Sequence, residues 1–177
     1  MEEKLKKLQR ICNEKNFDYF VLFLMSHGED DHLICTDGNK IAIEDVTRMF
    51  YDANQCPGLV EKPKIFVIQA CRGNAHNSIT RRKEREFIQE DGIKPDQSLP
   101  QISDYLLIYA TVPEMVSYRH MKAGSFLIQA LCHELSNYGL KEGIEQIMLK
   151  VNNRVTKASL EKNCKGQQQC QFVCCFN

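Results

Sequence analysis

The chain has no run approaching the 18 or so apolar residues of a membrane-crossing helix, and nothing in it suggests a membrane partner. It has no excess of either charge: Lys and Arg number 23, and so do Asp and Glu. That balance gives no global argument for nucleic-acid binding. Its first residues, "MEEKLKKLQR", are charged and amphipathic, unlike an export signal. It lacks any Cys-x-x-Cys pair and any internal repeat. Cysteine itself is abundant, with nine, but the count is odd and the spacing irregular. Reduced thiols in a cytosolic protein fit this better than a disulfide framework. Neither Cys170 to Cys175 nor the group His27, His32 and Cys35 has a recognised metal-ligand spacing. No metal or other cofactor is expected, and most thiols are expected to serve as small core residues.

What is present is an alternation of elements. At 177 residues the chain is long enough for one domain with a substantial core. Residues 2–14 place Leu5, Leu8 and Cys12 on one helical face. "YFVLFLMSHG" reads as a fully buried strand with a sharp stop. "DDHLICTDGNKIAI" reads as a hairpin turning at Asp37-Gly38. A helical period follows through Val46, Met49, Phe50 and Ala53, and then a second buried strand, "KIFVIQA". From Asn74 to about Gln101 the sequence is polar and charged and reads as a linker. Within it, "RRKER" (81–85) reads as a solvated run rather than a localisation signal. "DYLLIYA" reads as a third buried strand. Ser125 is a suitable N-cap for a helix ending near Gly139. A last helix aligns Ile144, Ile147, Met148, Val151 and Val155, and "QFVCCF" suits a short final strand. Strands alternating with amphipathic helices predict an α/β fold: a mostly parallel central β-sheet flanked by helices on both faces.

In such sheets the carboxyl ends of strands carry chemistry. Two predicted strands end in reactive residues: His27-Gly28, and Gln69-Ala70-Cys71-Arg72-Gly73. A thiol is little ionised at neutral pH, and a histidine beside it can take its proton. Gly28 lets backbone approach a substrate carbonyl. Yet a lone histidine after a strand is more often structural, and a cysteine there more often belongs to the core.

The motifs around these residues resemble one family. "QACRG" is the caspase signature, and the histidine of "LMSHGED" lies 44 positions before Cys71. "YATVPEMVSYRHMKAGSFLIQALC" is similar to the family's small-subunit segment, with Ser-Tyr-Arg where Ser-Trp-Arg is usual. "EGIEQIMLKVNNRV" resembles its last long helix. The resemblance implies a cysteine endopeptidase cutting after aspartate on a caspase-hemoglobinase sheet. Cys71 would be the nucleophile and His27 the proton carrier, with the N–H groups of Gly28 and Cys71 as oxyanion hole. Gln69 and Arg119 would bind the P1 aspartate, and the backbone of Ser117 and Arg119 would pair with substrate. Tyr118 would wall S2 and Phe126 would sit near S4. Residues 1–91 would correspond to the large subunit and 92–177 to the small one. The linker, about 74–101, would carry processing sites after Asp91 and Asp96.

Against the family pattern, Met1 aligns after a first strand and helix that carry a P1-binding arginine, and the last strand is short. The fold is therefore expected to lack those elements. Two functions follow: a caspase acting on proteins with P1 aspartate in apoptotic or inflammatory processing, or a catalytically impaired homologue acting as decoy or regulator of a full-length caspase. Either would pair as a homodimer or with another caspase.

Overall fold

The computed structural model of the chain describes residues 1–73, 104–161 and 173–176. Its centre is a four-stranded sheet. Helix α1 (Glu2–Glu14) leads to β1 (Phe20–Met25), and a small three-stranded sheet follows from β2 (Gly28–Glu29), β3 (His32–Ile34) and β4 (Lys40–Ala42). Helix α2 (Ile43–Tyr51) and a 3₁₀ turn (Pro57–Leu59) precede β5 (Lys64–Gln69). After β6 (Tyr105–Tyr109) come the short strands β7 (Arg119–His120) and β8 (Gly124–Ser125), then α3 (Phe126–Tyr138), α4 (Ile144–Glu161) and β9 (Cys174–Phe176). The central order is β1-β5-β6-β9, with β1, β5 and β6 parallel and β9 antiparallel to β6. The mixed, mostly parallel sheet is the one the sequence pattern predicts.

Period-two alternation divides the strands between two cores. Phe66 and Ile68 of β5 face α1 and α2, where they pack with Leu5, Cys12, Val46 and Phe50. Val67 of β5 and Ile108 of β6 face α3 and α4, where they pack with Leu127, Leu131, Val151 and Val155. Phe20 stacks on Phe50 with ring centroids 4.8 Å apart and meets Phe66 edge-on. Helices therefore cover both faces. Ser125 caps α3 as expected, accepting a hydrogen bond from Ile128 N–H at 3.4 Å. The Asp37-Gly38 turn also forms, with Gly38 at φ +82° and Cys35 N–H donating to Asn39 O.

One expectation is corrected. The first strand is buried on one face only. Val21, Phe23 and Met25 are 40, 49 and 59 % exposed, although their register partners on β5 include the buried Val67. β1 stands at the end of the sheet order, and no helix among the described residues covers its second face. A continuous apolar run signals strand but cannot say how many faces are covered. The third strand, β6, is likewise only half-buried over Tyr105–Leu107.

The two covering helices on the second face are cross-linked by charge. Glu134 of α3, 4 % exposed, accepts from Arg154 Nε of α4 at 2.6 Å. The Arg154 hydrogen bond holds its carboxyl below the usual range, against the opposing effect of burial. A depressed carboxylate pKa stabilises the fold above the unfolded value and loses that contribution as pH falls through the folded one. Glu134→Gln is thus expected to lower stability near neutrality and to flatten the acid side of a stability–pH profile measured by urea unfolding.

The alternation on β1 gives a sharper test. Leu24→Ala is expected to cost about 2–5 kcal/mol, as large-to-small core changes do. Phe23→Ser should cost far less and should reduce self-association, because an open apolar strand edge promotes it. Equilibrium denaturation and light scattering on both variants check the pair.

Candidate active site

The site grows from the register of β1 and β5. Met25 pairs with Gln69, so both strands end at the same level, and Ser26 N–H donates to Gln69 O at 3.2 Å. The residues just beyond are His27-Gly28 on one strand and Ala70-Cys71 on the other. They are pressed together: a Cβ on Gly28 would lie 2.3 Å from Cys71 O and 2.8 Å from Ala70 Cβ. Only glycine permits that approach. Ile34 N–H donates to His27 O at 2.9 Å, which makes these two a hydrogen-bonded pair. Gly28 and Leu33 are then a non-hydrogen-bonded pair, and the Gly28 N–H turns away from β3. That geometry leaves it available as a donor beside Cys71.

Cys71 is half-buried, and its thiol is seated on Ser117. Ser117 N–H points to Sγ at 3.4 Å, and the hydroxyl of Ser117 lies 3.7 Å from it. The same hydroxyl accepts from Gln69 Nε2 at 3.2 Å, while Gln69 Oε1 is buried without a partner. Gln69, Cys71 and Ser117 thus form one cluster. His27 is exposed, and its ring makes no hydrogen bond to Cys71 in this arrangement. Catalytic hydrogen bonds are often loose before substrate binds.

Arg119 is exposed on β7 and forms no ion pair among the described residues. Tyr118 is half-buried against the α3–α4 core, and its carbonyl accepts from Phe126 N–H. Phe126, expected near a substrate pocket, is 8 % exposed and packed into that core at the start of α3. Its side chain is turned inward because the residue opens an amphipathic helix on its buried face. The linker, about 74–101, with Asp91 and Asp96, lies outside the described residues.

Sequence reasoning missed how the Cys71 loop is fastened. Arg72 N–H donates to Met115 O, and Glu114 N–H donates to Arg72 O. Gly73 passes so near Glu114 that a Cβ would meet its backbone at 2.5 Å. The Arg72 side chain is 8 % exposed, donates from Nε to Asp31 at 2.5 Å, and lies with its Cζ 4.0 Å from the Tyr109 ring centroid. Arg72 sits inside the quoted "QACRG" and Asp31 inside "GEDD", but 41 residues separate them and no spacing rule joins them.

The model of the caspase domain matches residues 1–176. The chain belongs to the caspase family. It is 34 % identical to caspase-6 of Gallus gallus over 170 residues, covering 90 % of this chain and 55 % of that protein. It is 35 % identical to caspase-3 of Xenopus laevis over 167 residues, covering 94 % of this chain and 57 % of that protein. The chain therefore spans little more than half the length of these caspases. Among solved structures it resembles caspase-1 of Spodoptera frugiperda, with TM-score 0.78 and 26 % identity, covering 99 % of this chain and 67 % of that one. No helix among the described residues is long and apolar enough to cross a membrane.

Two of the other thiols are more deeply buried than Cys71. Cys12 and Cys56 are both buried, and burial pushes both up, Cys56 to about 11 with a further push from the neighbouring Cys12. Thiolate is the reactive form. Iodoacetamide at pH 8 is therefore expected to modify Cys71 well before Cys12 or Cys56, with peptide mass spectrometry reading the order. Gly28→Ala should change the rate at Cys71 and lower the melting temperature, because its Cβ forces apart the two strand tips.

Proposed function

We propose that this caspase-family chain carries the site of a cysteine endopeptidase that cuts after aspartate, with Cys71 and His27 as its dyad. The observation behind this reading is the packing of Gly28 against Cys71 at the level tips of β1 and β5. It puts a thiol, a free N–H and a histidine-bearing segment at one point of the sheet.

The chemistry runs as follows. His27 takes the Cys71 proton, and the thiolate attacks the carbonyl carbon of the aspartyl peptide bond. The oxyanion accepts N–H groups of Gly28 and Cys71, whose value lies in being aimed before charge develops. As the intermediate collapses, the C–N bond breaks and the imidazolium protonates the leaving amine. A water, deprotonated by His27, then hydrolyses the thioester and restores the thiol. Arg119 suits the P1 carboxylate because its guanidinium can donate two parallel hydrogen bonds. Gln69 offers a second donor from the floor. Ser117 and Arg119 would pair with substrate as an added strand. Before that, the thiol must leave the main-chain groups of Ser117 on which it rests.

The partners of this reading are proteins with an accessible aspartate, and a second caspase chain as homodimer or heterodimer. Cytosolic location, apoptotic or inflammatory processing, and cleavage after Asp91 or Asp96 belong to it. A second reading, an impaired homologue that regulates a full-length caspase, is favoured by the seat of the thiol on Ser117 rather than on His27.

One experiment separates the two. The purified chain is exposed to a peptide fluoromethyl ketone with aspartate at P1, and to its asparagine counterpart. Labelling of Cys71 is expected only with aspartate, absent in Cys71→Ala and reduced about 100-fold or more in His27→Ala. Arg119→Met should weaken the aspartate preference by roughly 10- to 100-fold, the range of one charged hydrogen bond. A folded chain that takes no label, yet lowers the activity of a full-length caspase on mixing, would establish the regulator instead.

A further inference from the structure

Two cysteines of the α1–α2 core have no part in the proposed peptidase chemistry. Cys12 sits in the last turn of α1, and Cys56 precedes the 3₁₀ turn that leads to β5. They are 44 positions apart in the chain. In the fold they are 2 and 1 % exposed and belong to one apolar cluster.

A buried thiol often serves only as a small core residue. What distinguishes these two is contact, for the thiols share a hydrogen bond. The backbone around them is fastened as closely. Gly58 N–H donates to Asn13 Oδ1 at 3.0 Å, and a Cβ on Gly58 would lie 2.2 Å from Cys12 O. Cys56 N–H donates to Asp52 O at 2.9 Å, and Cys56 O accepts from Leu59 N–H at 3.1 Å. Neither thiol can drift from the other without parting α1 from the turn. The other cysteines with described surroundings are placed differently. Cys35 lies 3.9 Å from Met1 Sδ, Cys71 rests on Ser117, and Cys132 is exposed on α3.

We propose that Cys12 and Cys56 are a disulfide-forming pair, oxidised by a peroxide to a bridge that staples α1 to the turn before β5. One thiol attacks a peroxide oxygen, the O–O bond breaks, water leaves and a sulfenic acid remains. The second thiol attacks that sulfur, the S–O bond breaks, and a second water leaves as the S–S bond forms. The two thiols give up two hydrogens in all, and one hydrogen peroxide becomes two waters. The first step is slow, because burial disfavours the thiolate. The second is intramolecular between groups already in contact. The finished bridge is buried and unexposed to reducing thiols, unlike the labile bridges of protein surfaces. It closes a loop that holds β1, His27, Gly28, the small sheet and α2. The histidine-bearing part of the site is therefore what it locks. The inference does not rest on the peptidase reading.

The test treats the whole chain with hydrogen peroxide, blocks free thiols with N-ethylmaleimide in denaturant, and reads the peptides by mass spectrometry. A Cys12–Cys56 peptide pair, two hydrogens lighter than the reduced peptides, is expected as the main linkage of either residue. Oxidation in urea should scatter that linkage among other cysteines. The oxidised chain should melt roughly 5–15 °C higher than the same sample after reduction with dithiothreitol, as closing a loop of this length does. Cys12→Ala should remove both the linkage and the rise, and Cys35→Ser should leave both. Cys12 and Cys56 recovered fully blocked by maleimide, either one linked mainly to another cysteine, or a melting temperature unchanged or lowered by oxidation would each overturn the proposal. The wild-type chain carries these decisive readings, so a variant that fails to fold leaves the test intact.

Discussion

The parallel, in-register pairing of β1 with β5 is the constraint from which the site follows. Six consecutive residue pairs, Phe20 with Lys64 through Met25 with Gln69, bring both strands to the same level. A slip by one residue would turn Phe66 and Ile68 from the α1–α2 core toward the α3–α4 core, at a cost in buried apolar surface on each strand. The same slip would part Gly28 from Cys71. Packing and chemistry are thus held by one set of backbone hydrogen bonds, and the price of the close approach is that position 28 admits no side chain.

Around that pairing the site is assembled from three separate segments. β1 leads into His27-Gly28, β5 into Gln69 and Cys71, and the stretch entering β7 brings Ser117. The Arg72 main chain ties the second segment to the turn before the third, so the Cys71 loop does not hang free. The thiol rests on the main-chain N–H and C=O of Ser117. Arg119 is exposed at the start of β7.

The uncovered face of β1 sets the energetic character of the fold. Val21, Phe23 and Met25 lie on the side of the sheet that α3 and α4 cover further along. Each side chain, if fully covered, would contribute about 1.5–3 kcal/mol. Among the described residues, the strand also has an unpaired edge at the end of the sheet order. A contiguous apolar strip of this kind is uncommon on a monomer surface and marks a place where further structure adds stability.

Much of this was legible in the residues. The helical period of Leu5, Leu8 and Cys12 specified α1, because only one face of that segment can be buried. The Asp37-Gly38 turn specified the hairpin, because a left-handed backbone there favours glycine. "QACRG" after an apolar run singled out Cys71, and Ser125 marked the start of α3. Three things were not legible. Phe126 reads as an aromatic beside a binding segment, and only the orientation of α3 turned it into the core. "YFVLFLM" reads as buried throughout, and only the sheet order left one face open. Arg72 and Asp31 are individually unremarkable charges, and only the crossing of β2, β3 and β5 brought them together over Tyr109. Sequence by itself determined which segments become strands and helices and which residue types can do chemistry, because those depend on periodicity and local turns. Tertiary structure alone decided which faces are covered and which distant groups meet, because burial and charge pairing depend on neighbours that sequence spacing does not encode.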